Sequence, residues 1–322
     1  MLDVVTFGSA TKDTFLFVKD GELKPGINKH FLEVPLDKKL DVKNVLEFTG
    51  GSATNAAATF SKFGKRVGIV TKIGSDEAGD FVLNDMRRRG VSTDYIVTSS
   101  GATAFTTVIV SSNMQMVLLV YRGAEESLKK EEVPLRFESR WMYIGPLTGE
   151  SYKLLPPVVE YCKANNIRIS MNPGSTELSQ KLKKMIPILK DVDVISMNDE
   201  EARTFVGYNN DTKNLIRLAR AVKDIAIITR GDKGVMVANR KYVYNAEAFK
   251  TKQINFVGAG DAFLSGFINA LMDEKSVEDA INLGSYNASG VVKAYGAKDG
   301  IADGYPKQKL KIRRVEYESK QA

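Results

Sequence analysis

The sequence predicts an α/β protein with a mostly parallel central sheet and helices on both faces of that sheet. From about residue 140 onward, short apolar segments alternate with longer amphipathic segments, as strands and helices do in parallel sheets. Ligands of such sheets bind beyond the carboxyl ends of the strands. With 322 residues and 43% hydrophobic composition, the chain is long enough to form a sizeable core.

The individual elements follow from these patterns. Residues 13–36 and 101–122 are rich in β-branched and aromatic residues, and we predict that these two hairpins form a small β-sheet lid. No linker or repeat divides the chain, so we expect a single domain over residues 1–322. The predicted central strands are residues 4–7, 67–70, 141–144, 167–171, 192–197, 225–229 and 235–238, with helices at residues 151–164, 177–189 and 212–222.

A glycine-rich run, Gly258-Ala259-Gly260-Asp261, opens a strongly apolar helical segment. The first amides of a helix lack intrahelical partners, and small residues let a phosphate group approach them closely. One interpretation is that these amides hold a transferring phosphoryl group while Asp261 takes the proton from the attacking hydroxyl. The alternative is an acidic N-cap on an ordinary helix, and the motif alone leaves both interpretations open.

The reactive side chains exclude several chemistries. The chain has one histidine, His30, and one cysteine, Cys162, so these residues cannot cluster around zinc or form an intrachain disulfide. We interpret His30 as a surface or lid residue, and Cys162 as a buried structural thiol because it lies in a helical pattern. The lone cysteine favours a reducing, cytoplasmic location, and the N-terminus lacks the features of a signal peptide.

The net charge of +7, from 46 basic and 39 acidic residues, is moderate for this length and suits anionic ligands. The basic clusters at residues 87–89 and 307–314 lack the aromatic and glycine patterns of RNA-binding modules, so we expect no nucleic-acid partner. The uncharged stretch between Tyr95 and Tyr121 is too polar for a membrane span. We therefore expect no association with membranes.

A second glycine-rich run leads from Gly50 and Gly51 to Asn55 and into a helix. Its residues alone favour a tight turn and a closely packed helix, although Asn55 could hydrogen-bond a ligand. Two further motifs follow in order, at residues 198–201 (Asn-Asp-Glu-Glu) and 229–234 (Thr-Arg-Gly-Asp-Lys-Gly). Together the four motifs resemble the signatures of the ribokinase-like, or PfkB-type, carbohydrate kinase family along nearly the whole chain. The resemblance implies a three-layer α/β/α fold with a small β-sheet lid.

The resemblance also implies roles for individual positions. The implied residues are Asp13, Gly50, Gly51 and Asn55 for the substrate; Asp261 as general base with Gly258, Ala259 and Gly260 as anion hole; Asn198, Thr229, Gly231 and Gly234 for the nucleotide; and Glu201 for Mg²⁺ through water. From the residues alone, Asn198 and Glu201 would cap a helix, and residues 229–234 would form a hairpin turn.

One stretch departs from the family pattern. Many members have Asp-Thr-Thr directly before Gly-Ala-Gly-Asp, whereas this chain has Asn255-Phe256-Val257. In the family that stretch helps to form a monovalent-cation site next to the anion hole. Potassium activation is therefore not expected here, although backbone carbonyls could still supply ligands.

The favoured function is an ATP-dependent, Mg²⁺-requiring kinase that phosphorylates an alcohol group, with a primary hydroxyl preferred, of a sugar, nucleoside or related polyol. The alternative is a catalytically weak protein of the same fold that binds a sugar or nucleotide for regulation. The sequence does not identify the substrate: Arg122, beside the lid, could contact an anionic substrate or form a lid salt bridge.

We also expect a homodimer joined through the lids. Apolar lid residues would otherwise be exposed on a small sheet, and family members resembling this chain often dimerise in this way. The apolar lid residues expected to need cover are Phe15, Phe17, Phe31, Val108, Val110, Val117 and Leu119.

Overall fold

The computed structural model describes residues 1–19, 24–25, 32–111, 114–133 and 135–317, and the predictions for His30 and Phe31 lie outside these residues. The strands are β1 (Leu2–Phe7), β2 (Thr11–Val18), β3 (Lys24–Pro25), β4 (Leu32–Glu33), β5 (Val42–Gly50), β6 (Val67–Gly74), β7 (Ile96–Ser99), β8 (Ala104–Val110), β9 (Met116–Tyr121), β10 (Ser139–Ile144), β11 (Arg168–Met171), β12 (Val194–Asn198), β13 (Ile225–Thr229), β14 (Val235–Ala238), β15 (Tyr242–Ala246) and β16 (Ile312–Glu316). The α-helices are α1 (Ser52–Lys62), α2 (Glu77–Arg88), α3 (Leu155–Ala164), α4 (Ser175–Ser179), α5 (Lys181–Leu189), α6 (Asp199–Val206), α7 (Asp211–Ala221), α8 (Ala259–Met272) and α9 (Val277–Val291).

A ten-stranded sheet forms the centre of the fold, in the order β16-β15-β14-β13-β12-β11-β10-β1-β6-β7. Neighbouring strands from β7 to β13 pair in parallel, and β14, β15 and β16 add antiparallel strands at one edge. Central strands buried on both faces need continuous apolar sequence, as in the Ile-Ala-Ile-Ile-Thr sequence of β13. The mostly parallel sheet predicted from the sequence is confirmed.

Helices cover both faces of this sheet. One hydrophobic cluster packs α3, α5, α6 and α7 against one face, with Phe205 among its buried side chains. A second cluster packs α1, α8 and α9 against the other face, around residues such as Leu264. The helices α8 and α9 approach closely because glycines face each other: a Cβ built on Gly266 would lie 3.1 Å from the Cα of Gly284. The result is the expected three-layer α/β/α arrangement.

A separate four-stranded sheet, in the order β5-β2-β8-β9, forms the lid. Strand β2 pairs antiparallel with β5 and parallel with β8, so both predicted lid segments contribute to one sheet. The first segment extends beyond the expected residues 13–36, because the partner of β2 is β5, at Val42–Gly50. Strand β5 therefore connects the lid directly to the Gly50-Gly51 turn.

The two faces of the lid sheet differ in exposure. We expected Phe15, Val108 and Val110 to be exposed, but this expectation is wrong: all three are buried, because they face inward and pack near Tyr295. Alternate residues of the strands face outward, since successive side chains of a strand point to opposite faces. Exposed apolar residues of the lid strands include Val45, Phe105, Val117, Leu119 and Tyr121.

The sulfhydryl group predicted to be structural is buried. Cys162 lies in α3, and burial raises the pKa of its thiol to about 12. A thiol that resists ionisation is a poor nucleophile, which supports a packing role for this side chain. Within the described ranges, no helix has the length and apolar character needed to cross a bilayer.

Candidate active site

The glycine-rich run at residue 258 forms a tight entry into α8. Gly258 has a φ of 80°, and a Cβ at this position would lie 2.5 Å from the Cβ of Ala297. Ala259 and Gly260 line one end of a cleft of about 430 Å³. Because the first N–H groups of a helix have no intrahelical acceptors, this end of the cleft is suited to bind an anion.

Asp261 lies in the first turn of α8 and is only 8% exposed. Its Oδ1 accepts hydrogen bonds from the Ser52 hydroxyl at 2.6 Å, the Tyr143 hydroxyl at 2.8 Å and Asn172 Nδ2 at 3.2 Å. Its Oδ2 accepts one from Asn55 Nδ2 at 2.9 Å. The N-cap interpretation does not describe this carboxylate, because its contacts are with side chains of other elements.

Three of these partners were not predicted from the sequence. Tyr143 and Asn172 lie at the carboxyl ends of the adjacent strands β10 and β11, and Ser52 directly follows the Gly50-Gly51 turn. Tyr143 and Asn172 could have been identified by their place at the ends of predicted strands, since parallel sheets bring the carboxyl ends of neighbouring strands to one edge. Asn55 was predicted as a substrate ligand, and its side chain also holds the predicted base.

The structure brings the predicted substrate residues together. Asp13 lies on the inner face of β2, and Gly50 is so close that a Cβ there would lie 1.9 Å from Asp13 Oδ2. Gly51 has a φ of 92°, and a Cβ there would lie 2.5 Å from the carbonyl oxygen of Ser9. The backbone path requires glycine at position 51, and the neighbouring Asp13 and Thr11 side chains leave no room for a Cβ at position 50. The Oδ1 atom of Asn55 is buried and has no hydrogen-bond partner among the described residues, so it is available to a ligand hydroxyl.

Asp13 lies in a polar setting within this group. Burial raises the pKa of Asp13, whereas the Thr11 hydroxyl, which donates to Oδ1 at 2.7 Å, and the positive charge of Lys298 act in the opposite direction. Lys298, which the sequence analysis did not single out, is 5% exposed and donates to the carbonyl oxygen of Thr49. Burial lowers the pKa of Lys298 to about 8, against the attraction of Asp85 and Asp13. A buried cation thus lies on the lid side of the substrate residues.

The cleft of about 430 Å³ that begins at Ala259 and Gly260 is also lined by most of the predicted nucleotide residues. Thr229, Gly231 and Gly234 line it, opposite the start of α8. Gly234 has a φ of 86°, and a Cβ there would lie 2.1 Å from the carbonyl oxygen of Ala246, so the turn requires glycine. Asn198 is not among the lining residues.

Asn198 and Glu201 form a reciprocal cap at the start of α6. Asn198 Oδ1 accepts from the Glu201 amide at 2.8 Å, and Glu201 Oε2 accepts from the Asn198 amide at 2.8 Å. Burial raises the pKa of Glu201, and the negative charges of Glu200 and Asp261 act in the same direction. The described residues contain no group of three or more His, Cys, Asp or Glu side chains able to hold a metal ion alone.

The stretch Asn255-Phe256-Val257, which departs from the family pattern, is held by hydrogen bonds of the Asn255 side chain. Asn255 is buried, its Nδ2 donates to the carbonyl oxygen of Tyr295 at 2.6 Å, and its Oδ1 accepts from the Val257 amide at 2.9 Å. Phe256 is 54% exposed and lines the cleft. The Asn255 amide therefore already donates to one of the carbonyl oxygens beside this stretch.

Arg122 belongs to a lid-side ion pair. Its Nη1 lies 3.6 Å from Oε1 of Glu125, which agrees with the salt-bridge interpretation of this arginine. Glu125 is 8% exposed, and its Oε2 has no hydrogen-bond partner among the described residues. Burial raises the pKa of Glu125 to about 7, although the Arg122 charge opposes this change.

Comparisons with known proteins are consistent across sequence and structure. The model of the pfkB family carbohydrate kinases matches residues 4–303. The chain is 26% identical over 311 residues to the ribokinase of Staphylococcus aureus (strain COL), covering 92% of this chain and 96% of that protein. It is 27% identical over 277 residues to the 5-dehydro-2-deoxygluconokinase of Bacillus subtilis (strain 168), covering 79% and 84%.

Solved structures of similar fold include ribokinases. The ribokinase of Thermotoga maritima has a TM-score of 0.77 at 24% identity, covering 94% of this chain and 96% of that one. The Arabidopsis thaliana ribokinase, solved with ribose and ATP, has a TM-score of 0.76 at 18% identity, covering 93% and 95%. At these identities the structural likeness shows the shared fold.

Proposed function

Since this chain belongs to the pfkB family of carbohydrate kinases, we propose that it transfers the terminal phosphoryl group of ATP to a primary hydroxyl of a sugar, nucleoside or related polyol. The observation that carries this proposal is the position of Asp261 between two sets of residues. Ser52 and Asn55, which follow the Gly50-Gly51 turn, donate to its carboxylate. Ala259 and Gly260, which precede Asp261, line the cleft that also contains Thr229, Gly231 and Gly234. A base at this junction can contact an acceptor hydroxyl next to a bound phosphoryl group.

The acceptor is proposed to bind at the turn between β5 and α1. Asp13 and Asn55 supply carboxylate and amide groups that suit the paired donors and acceptors of a polyol. A Cβ at Gly50 or Gly51 would collide with Asp13 or Ser9, so glycine lets this turn lie close to both residues. The unpartnered Oδ1 of Asn55 supports this assignment, since a buried acceptor atom without a donor is costly.

ATP is proposed to bind in the cleft lined by Thr229, Gly231 and Gly234. Asn198 and Glu201 would hold hydrated Mg²⁺, an ion that keeps several waters and needs few direct protein ligands. The raised pKa of Glu201, to which the negative charge of Asp261 contributes, fits a site that gains from a nearby cation. When bound, Mg²⁺ would neutralise charge on the phosphate oxygens.

In the proposed reaction, the acceptor oxygen attacks the γ-phosphorus while the bond to the β,γ-bridging oxygen breaks and ADP leaves. The proton of the acceptor hydroxyl passes to the Asp261 carboxylate. The backbone amides at residues 258–260 donate to the transferring phosphoryl oxygens and stabilise their negative charge. Strand β5 connects the lid to the turn that is proposed to bind the acceptor. Closure of the lid would exclude water from this site and limit futile hydrolysis of ATP.

The test is ADP formation from ATP with ribose, fructose, 2-keto-3-deoxygluconate, adenosine, guanosine and cytidine, each offered separately. We expect acceptor-dependent ADP formation with at least one compound and loss of that activity in Asp261→Asn. The matched control is Asp279→Asn, because Asp279 is also an acidic residue in the first turn of a helix, α9, and lies outside the cleft. This control should retain activity.

A regulatory protein of the same fold would bind these compounds without converting them. Calorimetric titration with each compound, in the presence of a non-hydrolysable ATP analogue, measures binding independently of turnover. Binding of an acceptor without any ADP formation would contradict the kinase proposal and favour the regulatory alternative.

A further inference from the structure

The four donors to Asp261 are distributed unequally between its two oxygens. Oδ1 accepts from Ser52 at 2.6 Å, Tyr143 at 2.8 Å and Asn172 at 3.2 Å. Among the described residues, Oδ2 accepts from Asn55 alone, at 2.9 Å. A carboxylate oxygen has about two lone-pair sites, so Oδ1 is fully occupied whereas Oδ2 can accept another hydrogen bond.

The two shorter bonds come from side chains that are themselves held in place. Tyr143 is fully buried in β10, and its ring packs edge-on against Phe60 with centroids 6.2 Å apart. Burial, and then the charge of Asp261, raise the pKa of Tyr143 well above its usual value, so its hydroxyl stays protonated and donates. Ser52 begins α1, and its amide donates to the Ser9 hydroxyl at 2.9 Å.

We propose that Tyr143 and Ser52 are positioning residues that hold Oδ1 of Asp261 and leave Oδ2 to receive the proton of the acceptor hydroxyl. The inference rests on the proposed function of Asp261 as general base. Removing either donor leaves Oδ1 less firmly held and Oδ2 less well oriented for proton transfer.

Other charged groups also act on Asp261 from the elements around it. The Asp261 charge acts on the ionisation of Lys298, after α9, and of Glu201, in α6, as well as on that of Tyr143. Neither the lysine nor the glutamate is removed in Tyr143→Phe or Ser52→Ala. A loss of turnover common to these two variants is therefore attributable to the lost donors.

The experiment measures the turnover of the full-length protein with an accepted substrate. In Tyr143→Phe and in Ser52→Ala we expect kcat to fall about tenfold, because Asp261 loses a donor that fixes its orientation. The matched control is Tyr161→Phe, which removes a hydroxyl that donates to the Phe137 carbonyl at 2.8 Å away from the site. It should leave kcat unchanged.

The Michaelis constant supplies the second readout. KM for ATP should be unchanged in both variants, because neither side chain lines the cleft. An unchanged kcat in both donor variants would overturn the proposal, as would a rise in KM for ATP as large as the fall in kcat. If Tyr143→Phe does not fold, Ser52→Ala decides, because it removes the shortest bond with a small change in volume.

The outcomes separate this inference from the function on which it rests. If Asp261→Asn abolishes turnover but the donor variants leave kcat unchanged, the kinase function stands and the positioning role fails. If kcat falls in the donor variants while Asp261→Asn keeps normal turnover, the general-base assignment fails, and with it the role of Tyr143 and Ser52 in proton transfer.

Discussion

The proposed chemistry depends on Asp261, because its carboxylate lies between the start of α8 and the Gly50-Gly51 turn that is proposed to bind the acceptor. We predict that Asp261→Asn lowers kcat by roughly 10²- to 10⁴-fold, the range expected when a general base is lost. The affinity for ATP should change little, because the cleft is lined by other residues. Steady-state kinetics and equilibrium binding of ATP measure the two quantities. Near-normal turnover of the purified variant would contradict the assignment.

Glu125 makes stability depend on pH. Burial raises the pKa of Glu125 from 4.5 to about 7, so the folded protein holds this proton more tightly than the unfolded chain. The associated stability is fully present below about pH 4.5 and is lost as the pH rises through 7, where a buried carboxylate must ionise.

We therefore predict that Glu125→Gln, which cannot ionise, increases the free energy of unfolding at about pH 8 by up to about 3 kcal/mol relative to wild type. The two proteins should converge at acidic pH. Urea unfolding at several pH values measures the difference. An exposed residue six positions further along provides the control, since Glu131→Gln should follow the wild-type curve. A constant difference between Glu125→Gln and wild type across pH would refute this explanation.

The prediction about monovalent cations concerns the loop before α8, at Asn255-Phe256-Val257. The Asn255 side chain donates to the Tyr295 carbonyl at 2.6 Å, so an uncharged amide group already occupies that oxygen. We predict that rates in potassium, sodium and choline buffers differ by less than a few-fold. Initial-rate measurements at matched ionic strength test this prediction. Strong, saturable activation of the wild-type protein by potassium would show that other carbonyl oxygens complete a cation site.

A single substitution in the same loop gives the complementary test. Asn255→Asp replaces the donating amide with a carboxylate oxygen beside the Tyr295 carbonyl, which is a pair of ligands suited to a cation. We expect this variant to lose activity in choline buffer and to recover it in potassium. Equal rates in both buffers would show that the amide does not exclude a cation.

The lid determines the expected assembly of the molecule. Its inner face buries Phe15, whereas its outer face exposes Val45, Phe105, Val117 and Leu119. Exposed apolar residues on a small sheet need cover, and a second copy related by a two-fold axis presents the same surface. We predict a homodimer joined through the lids, which light scattering at micromolar concentration can detect.

The exposed fractions of the lid side chains identify the substitutions that test this assembly. Leu119→Asp, at a residue that is 53% exposed, should convert the dimer to a monomer because it places a charge in the proposed interface. Charge substitutions at Val108 or Val110 would not be informative, because both side chains are buried within the protomer. The control is Ile186→Asp, at an exposed position on α5. A dimer that persists in Leu119→Asp would exclude the lid interface, as would a monomeric wild-type protein.

Much of the fold and the backbone of the candidate site could be predicted from the sequence alone. Alternating apolar and amphipathic segments determine a parallel sheet covered by helices, because such strands must be buried on both faces. Gly50, Gly51, Gly234 and Gly258 could be recognised in their motifs because close approach or positive φ requires glycine at each of them. A positive φ is a demand of the local backbone, and local sequence expresses it directly. The collisions with distant segments, such as that of a Cβ at Gly50 with Asp13, are seen only in the structure.

The side chains around Asp261 were decided only by the tertiary structure. Ser52, Tyr143 and Asn172 are separated from Asp261 by 209, 118 and 89 positions, and none lies in a motif that marks it as a partner of a carboxylate. Their meeting depends on which strands are neighbours in the sheet and on where each strand ends. Likewise, the burial of Val108 follows from the face of the lid that meets the core. Such contacts are set by packing between distant segments, which no local pattern records.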